Sequence, residues 1–156
     1  MSSPIFYADS SVLVKLHVRE IGTEWLKSLV AEPATTRIIT TTLSIVEVLS
    51  SLNRHRRENS ITRKEYSQIA EDFQIIANNE YRLIQLTPTI IIESQRILEN
   101  YPLRAGDAIQ LASAVVARKT VTKAKLASPI FLTSDNKLLN AAIAEGFTTD
   151  NPLLHP

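Results

Sequence analysis

The chain has 156 residues, of which 44% are hydrophobic and 21% are charged, a composition that excludes disordered and fibrous proteins. This length suits one domain, so we expect residues 1–156 to fold around one core. The net charge of +1 argues against a broad basic face for nucleic acid, and any contact with a polyanion must be local. Cysteine is absent, which excludes disulfides, thiolate metal sites and cysteine nucleophiles.

No segment approaches the roughly 20 consecutive apolar residues that span a bilayer. The N-terminal residues also lack the basic region and long apolar run of an export signal. We therefore expect no contact with a membrane and a cytoplasmic location, with which the absence of cysteine is compatible.

The first half of the chain alternates short apolar runs, typical of buried strands, with stretches of helical period. Before residue 42 the predicted elements are strands over 5–8 and 37–41, a helix over 11–16, and a helix from residue 23 to Pro33. Thr41 or Thr42 then caps a helix with one apolar stripe. Thr62 and Glu65 form a capping box before a long amphipathic helix, which we expect to pair with its predecessor as a hairpin.

The second half continues the alternation of strands and helices. Its predicted elements are a strand over 81–86, a helix over 88–101 capped by Thr87, a helix from Asp107, a strand over 129–133, a helix from Ser134 to Gly146, and a short strand over 147–149. The helix from Asp107 carries small, mostly apolar residues and should pack closely on the sheet. This order predicts an α/β fold with a parallel sheet of four to five strands, covered on both faces.

Polar residues that follow parallel strands are the first candidates for a site, because ligands bind beyond the carboxyl ends of such strands. Asp9 directly follows the first predicted strand, and Asp135 follows the fourth. If these strands are neighbours, the two carboxylates face one crevice. Taken singly, Asp9, Asp107 and Asp135 are explained at least as well as helix N-terminal residues, which bind free N–H groups.

Glu47 is less easily explained, because it lies roughly opposite the apolar stripe of its helix. A glutamate exposed to solvent would show the same pattern. Two basic runs, over 54–57 and 118–125, supply local positive charge, although solvated helix ends explain such runs as often. The histidines are scattered and no glycine-rich phosphate loop is present, so a histidine site or a nucleotide cofactor is not expected.

The four acids and their surroundings resemble the PIN-domain family, especially VapC-like toxin ribonucleases, over nearly the whole chain. The order and separation of the segments carry this resemblance. The segments are Tyr7-Ala8-Asp9-Ser10-Ser11, Glu47-Val48-Leu49, Leu103-Arg104-Ala105-Gly106-Asp107-Ala108 and Leu132-Thr133-Ser134-Asp135.

The resemblance implies a three-layer α/β/α fold and a ribonuclease in which a metal-bound water attacks phosphorus. Asp9 and Asp107 would bind Mg²⁺ or Mn²⁺ directly, and Glu47 and Asp135 would act through water or a second ion. Clustered carboxylates repel one another unless a cation neutralises them, and hard oxygen ligands suit these metals.

Three hydroxyl groups could orient the substrate or the carboxylates, although capping also explains them: Ser11, Thr133 and Ser134. One departure from the family pattern weakens the case for a two-metal mechanism. Relatives often have another acid just after the fourth carboxylate, where this chain has Asn136 and Lys137.

The resemblance also implies a small antitoxin partner and a homodimer. Two alternative functions are a phosphoacceptor signalling domain and a non-catalytic PIN-like domain that binds RNA or protein through residues 54–57. The first alternative would require paired acids after the first strand, whereas serines follow Asp9. The presence of all four acids argues against the second.

Overall fold

The computed structural model describes residues 3–32 and 36–156, and a five-stranded sheet lies at its centre. The strands are β1 (Ile5–Ala8), β2 (Arg37–Thr41), β3 (Arg82–Ile84), β4 (Ile130–Leu132) and β5 (Thr149–Asp150). Their order is β3-β2-β1-β4-β5, and every neighbouring pair is parallel. The predicted parallel sheet is therefore confirmed. Three strands differ in extent. Strands β3 and β4 are shorter than the predicted 81–86 and 129–133, and β5 begins at Thr149 instead of Phe147.

The helices connect and cover these strands. They are α1 (Ser10–Lys15), α2 (Thr23–Leu29), α3 (Leu43–Arg57), α4 (Arg63–Glu80), α5 (Pro88–Asn100), α6 (Ala105–Lys123) and α7 (Asn136–Ala144), followed by a C-terminal 3₁₀ turn (Pro152–Leu154). In the described ranges none of the helices combines the length and apolarity needed to cross a bilayer. Pro33, the predicted end of the second helix, lies outside the described residues.

Two helix starts agree with the sequence. Thr62 and Glu65 form the predicted reciprocal capping box of α4, and the Thr87 hydroxyl accepts a hydrogen bond from the Ile90 amide before Pro88 opens α5. Both are local motifs, in which side-chain chemistry a few residues away fixes the helix start.

Two predicted helix starts were wrong, those of α6 and α7, whereas the predicted start of α3 was correct in position. The N-cap of α7 is Asp135 and not Ser134, since the Asp135 carboxylate accepts from the Leu138 amide. In α3 the N-cap position is Thr42, but its side chain makes no capping hydrogen bond. Helix α6 begins two residues before Asp107, so this aspartate lies in the first turn of the helix instead of at its start.

The sheet separates two apolar layers, because successive strand residues face opposite sides. Ile5 and Tyr7 of β1 pack in the cluster that includes residues of α5, α6 and α7. Phe6 and Ala8 pack in the cluster that includes residues of α1 to α4. Helices thus cover both faces, which confirms the three-layer α/β/α architecture.

Helices α3 and α4 form the predicted hairpin. Val48 and Leu52 of α3 are fully buried in one cluster with Phe73 and Ala77 of α4. Helix α6 is as buried as its small side chains indicated, with nearly all of its apolar residues from 108 to 117 inside the molecule.

The direction in which successive strands are added to the sheet reverses between β1 and β4. From β1 the chain proceeds outward to β2 and β3, whereas from β4 it proceeds to β5 on the other side. A crevice forms at such a reversal, beyond the carboxyl ends of the two strands. Asp9 and Asp135 both lie at this edge, as expected if β1 and β4 were parallel neighbours.

Candidate active site

Asp9 is the most buried of the four predicted acids, with 4% of its surface exposed. One carboxylate oxygen accepts hydrogen bonds from the Ser11 hydroxyl at 2.6 Å and the Val12 amide at 3.1 Å. The other accepts from the Thr133 hydroxyl at 2.5 Å. Burial raises the pKa of Asp9 to about 6, although these three hydrogen bonds lower it and the charge of Asp107 adds to the rise.

The two hydroxyls that bind Asp9 also hold the loop between β4 and α7. The Ser11 hydroxyl accepts from the Ser134 amide at 3.1 Å, and the Thr133 hydroxyl accepts from the Asp135 amide at 3.0 Å. The Asp9 carboxylate is therefore connected to the backbone of Ser134 through the Ser11 hydroxyl and to the backbone of Asp135 through the Thr133 hydroxyl. The Ser134 hydroxyl is itself buried and has no hydrogen-bond partner in the part of the chain that is described.

Asp107 lies in the first turn of α6 and is partly buried. Burial raises its pKa, the charges of Asp135 and Glu47 raise it further, and Arg104 opposes them. Over residues 3–32 and 36–156 no side chain or amide donates a hydrogen bond to its carboxylate. This carboxylate is thus destabilised by its surroundings and has the free oxygens that a cation requires.

Glu47 is partly buried and faces α6, where one carboxylate oxygen accepts from the amide nitrogen of Gln110 at 2.7 Å. Its other oxygen lies against Gly106, because a Cβ at this glycine would be 3.2 Å from it. Any larger residue at position 106 would crowd the carboxylate. Glu47 is therefore held between two positions of α6.

Two hollows open on either side of these acids. One, of about 430 Å³, is lined by Asp107 and Asp135 together with basic residues that include Arg104 and Lys137. The other, of about 580 Å³, is lined by Glu47, by further residues of α1 and α3 that include Lys15 and Arg54, and by Ser134 of the loop between β4 and α7. Both carry positive charge beside the acids.

The four predicted acids therefore lie near one another at the carboxyl edge of the sheet. Asp107 is affected by the charges of Glu47 and Asp135, and Asp9 by that of Asp107. They are nevertheless spread out, since within the described ranges no three histidine or acidic side chains form a group that could hold a metal ion. The chemistry of the donors, which are all carboxylate oxygens, fits a hard cation.

The sequence analysis missed the side chains behind Glu47. Gln110 is 1% exposed, its oxygen accepts from the Tyr7 hydroxyl at 2.8 Å, and its nitrogen also lies 2.9 Å from the Ser44 hydroxyl. A signal was available, because Gln110 is a polar residue in an apolar stretch, one helical turn after Asp107. The partners themselves come from β1 and α3 and could not be read from that spacing.

The basic run over 54–57 serves several purposes. Arg56 packs over the ring of Tyr66 and donates to Asn53, so it stabilises the α3–α4 hairpin. Arg54 lines the larger hollow beside the candidate site. His55 lies 3.4 Å from Glu20, which also pairs with the buried Lys15.

Comparisons with known proteins agree with this architecture. A family model described as "PIN domain" matches residues 6–144, and no curated protein matches the chain. Similar solved structures include the Mycobacterium tuberculosis toxin VapC20, described as cleaving the sarcin-ricin loop, with 17% identity and a TM-score of 0.61 over 97% of this chain and 99% of that one. A toxin-antitoxin complex from Klebsiella pneumoniae has 18% identity and a TM-score of 0.59 over 94% and 97%. VapBC2 from Rickettsia felis, bound to a fragment of its promoter DNA, has 9% identity and a TM-score of 0.62 over 94% and 98%.

Proposed function

The chain belongs to the PIN-domain family, and from this premise we propose that it is a metal-dependent endoribonuclease and the toxin of a type II toxin-antitoxin pair. One observation carries the proposal. Asp107 is a partly buried carboxylate without a hydrogen-bond donor in the described ranges, and it faces the charges of Glu47 and Asp135. Such an arrangement of like charges does not stabilise the folded protein. A bound cation would replace the repulsion among the carboxylates with a favourable attraction.

We propose that the cation is Mg²⁺ or Mn²⁺. Asp9 and Asp107 would hold it directly, and Glu47 and Asp135 would hold its water ligands. When bound, such an ion supplies Lewis acidity and lowers the pKa of a bound water, so the site requires no nucleophilic side chain.

The remaining polar groups have roles that follow from their contacts. Ser11 and Thr133 keep the Asp9 carboxylate in one orientation, because each donates to a different oxygen of it. The buried Ser134 hydroxyl is free to donate to a phosphate oxygen of the substrate. Arg54 lines the adjoining hollow and would supply positive charge where an RNA strand continues past the acids.

The proposed partners are RNA, a small antitoxin whose segment covers the acidic crevice, and a second copy of this chain. Support for the antitoxin comes from the similar structures, two of which are described as a toxin-antitoxin complex and as VapBC2. The sarcin-ricin loop named for the mycobacterial toxin supports a structured RNA substrate. Light scattering of the purified chain would test the homodimer.

The proposed reaction is tested by incubating labelled structured RNA with wild type and Asp9→Asn in Mg²⁺, in Mn²⁺ and in EDTA. We expect wild type to cleave only with metal. We expect Asp9→Asn to lose activity on the order of 100-fold or more, because a metal ion contributes several kcal/mol to stabilising the developing charge. Glu71→Gln, which removes an exposed acid of α4, should retain wild-type activity.

Circular dichroism must show that both variants keep the fold. Equal cleavage by wild type and Asp9→Asn would indicate a contaminating ribonuclease and would contradict the proposal. Metal-independent binding of RNA without cleavage would favour the non-catalytic alternative.

A further inference from the structure

We infer that Gln110 is a positioning residue of the site, which holds the Glu47 carboxylate toward the other acids through an amide whose orientation Tyr7 fixes. The inference rests on the proposed function only in that Glu47 serves a bound cation. Gln110 itself touches neither the substrate nor the metal in this account.

The contacts of Gln110 use every polar atom of its side chain. Its nitrogen has two N–H groups, one directed to Glu47 at 2.7 Å and one to the Ser44 hydroxyl at 2.9 Å. Its oxygen accepts from the Tyr7 hydroxyl at 2.8 Å. A buried amide with all of these partners has one orientation, since a flip would place its oxygen against a carboxylate.

Tyr7 agrees with this orientation from the other side of the amide. Its side chain is fully buried, and its hydroxyl lies 2.8 Å from the amide oxygen of Gln110. A phenol is protonated at neutral pH, so it can donate to that oxygen. Gln110 is then left with only N–H groups to offer to Ser44 and Glu47.

The network continues beyond Gln110 to the strand that carries Asp9. The Ser44 hydroxyl lies 2.7 Å from the Thr40 hydroxyl, which donates to the backbone oxygen of Ala8 at 2.7 Å. Ala8 directly precedes Asp9. One buried chain of hydrogen bonds thus links Glu47 on α3 to the end of β1, so the two acids are positioned relative to each other.

Gln110 is a polar residue at a buried position of α6, where its neighbours Leu111 and Ala112 are apolar and fully buried. What glutamine adds is a neutral donor beneath Glu47. Side chains that hydrogen-bond to a metal ligand without touching the metal typically contribute about 10- to 100-fold to metal affinity.

The test compares Mn²⁺ binding, measured by calorimetry, in wild type, Gln110→Met, Glu47→Gln and the double variant. We expect Gln110→Met to weaken binding by about 10- to 100-fold. Because Gln110 acts through Glu47, the double variant should bind no more weakly than Glu47→Gln alone. Val115→Ala, which disturbs the buried face of the same helix, should bind as wild type does.

Tyr7→Phe is a second variant should Gln110→Met fail to fold. It leaves the amide in place but removes the donor that orients it. Mn²⁺ binding should therefore also weaken, but by less than in Gln110→Met. The inference would be overturned if the variants that fold bind Mn²⁺ with wild-type affinity. It would also be overturned if the loss of affinity in the double variant equals the product of the losses in the two single variants. Absence of Mn²⁺ binding by wild type would overturn it as well.

Cleavage assays on the same proteins separate this inference from the proposed function. If wild type cleaves RNA and Gln110→Met binds Mn²⁺ normally, only the inference fails. If Mn²⁺ binding follows the expected pattern but wild type cleaves no RNA, the positioning role stands and the proposed reaction fails.

Discussion

Asp9, the most buried of the four acids, lowers the stability of its own fold. Its carboxylate is almost completely buried and is partly compensated by three hydrogen bonds, yet its pKa is raised to about 6 from 3.8. Such a group lowers the stability of the folded chain wherever it is ionised. This loss of stability is offset when a cation binds, which is the situation that we propose.

The stability of wild type and of Asp9→Asn should therefore diverge as pH rises. Because the folded-state pKa lies above the unfolded value, the stability associated with protonated Asp9 is present below about pH 4 and is lost as pH rises through about 6. Asparagine does not titrate. The variant should become more stable than wild type by roughly 2 to 4 kcal/mol between pH 4 and pH 7.

Urea denaturation in EDTA across this range measures the difference directly. Glu71→Gln is the control, since Glu71 is an exposed acid of α4 and not one of the four acids, so its curve should run parallel to that of wild type. Parallel curves for Asp9→Asn as well would show that Asp9 is not buried as a destabilised carboxylate.

Among the elements, the C-terminal 3₁₀ turn is attached to the start of α2 by shape complementarity. Gly22 has φ of +90°, and a Cβ there would lie 2.4 Å from the backbone oxygen of Pro152. Nearby, the ring of His155 stacks on Trp25 with centroids 3.9 Å apart. The turn can dock only because Gly22 presents no side chain.

Gly22→Ala should therefore destabilise the chain and displace this turn. The left-handed backbone alone costs about 1 to 3 kcal/mol for a residue other than glycine, and the clash adds to that cost. Trp25 is the sole tryptophan of the chain, so its fluorescence should change when His155 moves away.

Gly146→Ala provides the comparison for this prediction. Gly146 has nearly the same φ of +89°, but a Cβ there would meet only the Arg118 side chain at 3.6 Å, an ordinary contact. This variant should lose stability through backbone strain without a change in Trp25 emission. Identical losses and spectra in the two variants would show that the contact with Pro152 contributes nothing.

At the scale of the whole molecule, the order of the strands assembles the site. The reversal between β1 and β4 brings Asp9 beside the loop that carries Thr133 and Asp135, although more than a hundred residues separate them. Helices α3 and α6 pack on opposite faces of the sheet and add Glu47 and Asp107 at the same edge. The crevice is thus shared by four elements that are distant in sequence.

If the molecule is a toxin, its expression alone should slow the growth of a bacterial host. Co-expression of the product of the neighbouring gene should restore growth by covering the acidic crevice. Asp9→Asn should be harmless at equal expression, which immunoblotting verifies. Unimpaired growth with an enzyme that is active in vitro would contradict the toxin assignment and leave the nuclease assignment intact.

The amino-acid sequence by itself determined the features that depend on near neighbours. The alternation of apolar runs and helical periods predicted every strand and helix to within a few residues, and the caps at Thr62 and Thr87 were correct because a cap depends on the next three or four residues. The segments around the four acids also identified the family. Helix starts were wrong at Ser134 and Asp107, where contacts with distant loops compete with local preference.

Only the tertiary structure decided how the acids are supported. From the sequence alone, Glu47 could not be distinguished from a solvent-exposed glutamate, since its position on α3 does not show which element packs against that side of the helix. Packing against α6 gives it Gln110 as a donor and Gly106 as a neighbour. The pairing of β1 with β4 likewise gives Asp9 the Thr133 hydroxyl. Such contacts join residues far apart in the chain, and their energies depend on burial and distance, which local periodicity does not encode.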